Sequence, residues 1–134
     1  MEKLLAIKGL AALQFENAQS KIKGIMDEEQ RLRAQLAKLD RHAAVVLMHE
    51  PEQGTMRALG ADIAWLHWLD RSRTSLNTRL AQVLARKEQY MAELRRLRGR
   101  KEVAQKLVDE TSLSNRKKAA KRLLDDAVQR VVRF

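Results

Sequence analysis

Three imidazoles, His42, His49 and His67, are the side chains of this chain best suited to move a proton or hold a metal near neutral pH. They fall on outer or flanking positions of helical repeats, at spacings that give no ligand set. The chain has no cysteine to complete one, which also removes disulfides and thiol catalysis and suits a reducing compartment. No glycine-rich phosphate loop, paired-histidine metal helix or serine elbow occurs. These residues point away from an enzyme, and neither a cofactor, a metal nor a small-molecule substrate is expected. What remains is recognition chemistry. Arg116, Lys117, Lys118, Lys121 and Arg122 form a basic cluster, and Trp65 and Trp68 stand three residues apart. Tryptophan is costly to leave in water and common in binding hot spots. Its alternative use here is a local cap, with Val45, Leu47 and Met48 covering the indoles.

The charge sharpens this reading. The 134 residues hold 27 Lys and Arg against 17 Asp and Glu, a net +10. Residues 112–134 carry seven basic and two acidic groups, so the last 23 residues hold half of the excess. A basic end attracts an acidic protein surface, a phosphate backbone or an anionic membrane. Nucleic acid is the weaker partner class, because the cluster lacks interleaved aromatics, a recognisable binding fold and a helix-turn-helix glycine.

Long helices must position these groups. Composition is rich in Ala, Leu, Gln, Glu, Lys and Arg, with one proline and five glycines. Stepping alternately three and four residues from Leu66 meets Leu69, Arg73, Leu76, Leu80, Val83, Lys87, Tyr90, Leu94, Leu97, Lys101, Ala104, Val108 and Thr111. A repeat of about 3.5 residues puts these side chains on one seam, which needs a partner helix. The same repeat runs through Met1, Leu4, Lys8, Ala11, Phe15, Ala18, Ile22, Ile25, Glu29, Leu32, Leu36, Leu39, Ala43 and Val46. Pro51-Glu52-Gln53-Gly54 is the strongest turn signal.

The expected fold is all-α: a single antiparallel two-helix coiled-coil hairpin over residues 1–134. Helix one covers about 2–49, the turn 50–61 and helix two about 62–132, with an earlier start after Thr55 as the other option. The seam phase fails at 111–115, which predicts a kink or break there. A new stripe, Ala120, Leu124, Ala127, Val131 and Phe134, then continues as a helical tail projecting beyond the hairpin. No apolar run approaches the ~20 residues of a membrane span, and the expected location is cytoplasmic. Two seam expectations can be stated. Glu29 should lie beside Lys87 if helix two starts late or Arg73 if it starts early, since an unpaired seam carboxylate is expensive. Arg73 and Lys101 should snorkel outward on their long aliphatic stems.

The opening Leu4-Leu5-Ala6-Ile7-Lys8, the two seamed helices, the tryptophans early in the second and the run Arg116-Lys117-Lys118…Leu124-Asp125-Asp126-Ala127-Val128-Gln129-Arg130 resemble the FliJ/YscO family. These are the coiled-coil stalk proteins of flagellar and type III secretion export. The resemblance implies a non-enzymatic stalk, similar to that of rotary ATPases, peripheral to the inner-membrane export apparatus. Its joined chain ends would enter the pore of a hexameric export ATPase, and its hairpin region would meet the cytoplasmic domain of the export gate. Some members also escort empty export chaperones. Carried over, Arg116, Lys117, Lys118, Lys121, Arg122, Leu124, Ala127, Val131 and Phe134 would contact the ATPase, and Trp65, Trp68 and Leu69 the gate. The phase break near Leu113 departs from the family pattern. The rival class is a structural or non-specific nucleic-acid-binding helical protein that uses the basic tail.

Overall fold

The computed structural model describes the backbone of residues 1–48 and 56–133, and the side chains of 1–45 and 60–133. Two helices account for the described residues, α1 (Glu2–Met48) and α2 (Met56–Val132), and no strand occurs among them. They pack on each other as a helical hairpin. By packing, the chain divides into one unit of Met1–Gln19 with Ala92–Phe134 and another of Ser20–Met91.

In the Ser20–Met91 unit the buried side chains are Ile22, Ile25, Leu32, Leu69 and Val83, all of them seam positions. Val83 is 1% exposed and centres a cluster with Ile25 and Leu32, against which Leu76, Leu80 and Tyr90 pack. Arg73 bonds Asp40 while Lys87 bonds Glu29, so later residues of α2 meet earlier ones of α1. That order makes the pair antiparallel. Leu66, the first expected seam residue, is 43% exposed.

In the other unit Ala11, Phe15 and Ala18 of α1 close on Leu94, Leu97, Ala104 and Val108 of α2. The repeat is obeyed again, and no polar side chain is buried among the described residues. Phe15 carries two cations against its ring: Lys101 Nζ lies 4.8 Å and Arg98 Cζ 5.6 Å from the centroid. A cation over an aromatic face is attracted by the ring quadrupole. Lys101 therefore does more than snorkel, since its charge has a specific seat.

Helix α2 starts at Met56, the earlier of the two expected starts and not the one near Asp62, so residues 56–61 are helical and Gly60 lies inside the helix. The turn signal at Pro51–Gly54 lies outside the described residues, as does His49. At 111–115 the α-helix is unbroken. Thr, Ser and Asn each cost at most about 0.7 kcal/mol relative to Ala, too little to interrupt a long cooperative helix that has no proline there. The seam ends at this point while the helix continues. From Leu113 onward every described side chain is exposed.

Candidate functional site

The tail is the first candidate. Phe15 sits level with Lys101 and Arg98 in antiparallel packing, so Met1 comes level with about residue 112–115 at an equal rise per residue in both helices. Residues 113–133 thus have no other described helix beside them. Arg116, Lys117, Lys118, Lys121 and Arg122 are all exposed, as are Leu124, Ala127 and Val131. Leu123, Val128 and Val132 widen the stripe and are exposed as well. The structure thus brings the expected basic cluster and apolar stripe together on one continuous, uncovered helix. Phe134 lies outside the described residues.

The tryptophan pair is the second candidate, in the Ser20–Met91 unit. The indoles stack with centroids 5.0 Å apart and planes 16° from parallel. Trp68 is 48% exposed, while Trp65 is half-buried and its indole Nε1 has no hydrogen-bond acceptor among the described residues. Val45 is exposed and forms no cap; the side chains of Leu47 and Met48 lie outside the described residues. Leu69 is 3% exposed, which corrects its place among the partner-contacting residues. Its seam position turns it inward, where it floors the grooves on either side.

Sequence reasoning missed both of these grooves. A hollow of about 660 Å³ runs beside Trp68, with Leu39, Leu69 and Leu76 as apolar floor and Lys38, His42 and Arg71 as rim. Among the described residues no carboxylate lines it. Lys38 and His42 come from α1, some thirty residues before Trp68 in sequence, so only the register of the hairpin could have placed them. On the other side of Leu69 a hollow of about 430 Å³ is lined by His67, Asp70 and Arg73. His42 and His67 thus face different grooves. Among the described residues no group of three metal-ligating side chains exists.

Electrostatics within the seam centre on Glu29. Its Oε1 accepts a hydrogen bond from Lys87 Nζ at 2.9 Å, and its Oε2 accepts one from Arg33 Nε at 3.3 Å. The Lys87 hydrogen bond is the main reason its carboxyl titrates below the usual range; desolvation opposes the shift, and the charges of Lys87 and Arg33 reinforce it. Lys87 is thus the partner, although α2 starts early. The helix start therefore did not set the register as expected. Arg73 instead reaches Asp40 at 2.6 Å, on the surface, as a snorkelling side chain would.

No described helix is long and apolar enough to cross a membrane. Compared with known proteins, the chain matches no family model, no curated protein and no solved structure.

Proposed function

We propose that this chain is a non-enzymatic coiled-coil stalk or adaptor, linking a hexameric export ATPase to the cytoplasmic domain of the export gate in flagellar or type III protein secretion. The observation that carries the reading is the helix beyond residue 112, which is continuous with the packed hairpin, exposed on every side and both apolar and basic. A stalk needs such an element: a rigid helix that enters a pore and buries its stripe there. Leu124, Ala127 and Val131 would face the pore wall, with Arg116, Lys117, Lys118, Lys121 and Arg122 meeting acidic groups at its mouth. Trp68, stacked on Trp65 above a basic groove, supplies a second surface for the gate or for an empty export chaperone. Neither task requires catalysis by this chain. On this reading the protein works in the cytoplasm beside the inner-membrane export apparatus.

The test compares ATPase binding with duplex binding at two salt concentrations. Replacing Leu124 and Val131 by Ser leaves charge unchanged and should weaken ATPase binding at least about tenfold, since two apolar side chains lose their burial. A random DNA duplex should hardly register the change, because its affinity follows phosphate neutralisation. If the serine variant binds the ATPase as tightly as the parent, the stalk reading fails. Tight, salt-sensitive duplex binding with no ATPase binding would favour the nucleic-acid class instead.

A further inference from the structure

The exposed tail carries more apolar width than a helix seam uses. At about 100° per residue, Leu123 and Val132 mark the two edges of an arc that also holds Ala120, Leu124, Ala127, Val128 and Val131. That arc covers roughly half of the helix circumference, whereas a two-helix seam uses a narrower strip. Its edge residues are among the most exposed large hydrophobics of the chain, Leu123 at 72% and Val132 at 77%. Both carboxylates of the tail, Asp125 and Asp126, fall on the polar half. Basic side chains meet the arc at its N-terminal end and at one edge: Arg116, Lys117 and Lys121 fall within its angular range where the apolar stretch begins, and Arg130 lies just beyond the Leu123 edge.

A second copy of the chain would cover this face less completely, since a two-helix seam takes only a strip of the arc. Tails paired antiparallel, with Leu113 opposite Val131, would set Arg116 against Arg130 and Lys121 against Lys121 at the flanking positions. A parallel pair would set Lys117 against Lys117 in the seam itself. Like charges at those places oppose pairing. The occupant should instead be broad, apolar at depth and negative at its edge.

We propose that residues 113–133 dock in the plane of an anionic lipid bilayer. The Leu123–Val132 arc enters the headgroup and acyl boundary, while Lys117 and Lys121, at the N-terminal end of the arc, and Arg130, at its edge, reach lipid phosphates on their aliphatic stems. A flat surface takes up the whole arc, and the boundary cations supply the preference for anionic lipid. This binding needs no ATPase. It gives the tail a membrane-bound state that excludes any state in which a protein covers the same stripe.

Full-length protein mixed with phosphatidylcholine vesicles, and with vesicles containing phosphatidylglycerol, tests the proposal by co-sedimentation at two salt concentrations. Binding to the anionic vesicles alone is expected. Leu123→Ser with Val132→Ser, which spares the centre of the stripe, should lower the partition coefficient roughly tenfold or more. Lys117→Gln with Lys121→Gln should lower it by a similar factor, and circular dichroism should show the helix content of both variants unchanged. Failure to bind anionic vesicles at low salt overturns the proposal. So does equal binding by the Ser variant, which would mean charge adsorption only. A concentration-dependent doubling of mass without lipid, lost in the Ser variant, would show that a second copy covers the arc and would likewise overturn it. Each readout omits the ATPase, so this idea and the stalk reading can fail separately.

Discussion

Val83→Ala tests the packing of the Ser20–Met91 unit at its most enclosed point. The side chain is 1% exposed and lies among Ile25, Leu32, Leu76, Leu80 and Tyr90. Removing two methyl-sized groups forfeits about 1.6 kcal/mol of transfer free energy, at about 0.8 kcal/mol each. The residual cavity adds roughly another 1 kcal/mol where neighbours cannot collapse. Alanine returns about 0.5 kcal/mol through better helix propensity. The net loss is about 2 kcal/mol, or a fall of roughly 8 °C in Tm for a chain of this size. Thermal unfolding followed by far-UV circular dichroism reads it directly. Val103→Ala is the control, because Val103 is 58% exposed on the same helix and should stay within about 0.5 kcal/mol of the parent. If Val83→Ala melts no lower than the control, the seam is not closed at Val83 and the packing argument for this unit is wrong.

Other perturbations follow the same logic. The depressed Glu29 carboxyl contributes stability that is full above the ordinary carboxylate range and fades as pH falls through its lowered value. Glu29→Gln should therefore lower Tm at pH 7 and flatten its decline toward pH 3; a parallel pair of Tm curves would contradict the Lys87 hydrogen bond. Gly24 sits inside α1 with open space where a Cβ would go. Gly24→Ala should accordingly raise stability by about 1 kcal/mol in the same melt, and a loss would mean an unseen neighbour. Trp65→Ala with Trp68→Ala should retain the helical spectrum while weakening gate capture. A collapse in Tm would make the stacked pair structural instead.

How much of this was legible beforehand depends on the range of the interaction. The seam is local information: a period of 3.5 residues read along each helix named every buried side chain, from Ala11 through Leu32 and from Leu69 through Val108. The tail's exposure was legible too, because its stripe is out of phase with the seam and the first helix is shorter than the second. Helix ends were read less well. Gly60 suggested a late start, yet its cost of about 1 kcal/mol is spread over a helix that many other residues support. The weak helix formers at 111–115 were overvalued for the same reason. Least legible was the basic groove at Trp68, which depends on which turn of α1 lies alongside. Leu69 shows the reverse difficulty: its neighbourhood suggested contact with a partner, but its phase in the repeat had already assigned it inward.

The Glu29–Lys87 pair also bears on how the hairpin avoids folding errors. Two helices with a regular apolar repeat can close in several settings that differ by one heptad, each burying similar leucines and isoleucines. Sliding this seam by seven residues would move Lys87 from Glu29 to Ile22 in one direction or Leu36 in the other. Both settings set an ammonium against apolar side chains and leave Glu29 only its same-helix partner Arg33, so the Lys87 hydrogen bond is lost in either. Misaligned hairpins should therefore reopen quickly instead of persisting as traps. A seam that looks degenerate in its hydrophobic residues is thereby proofread by a single pair of opposite charges.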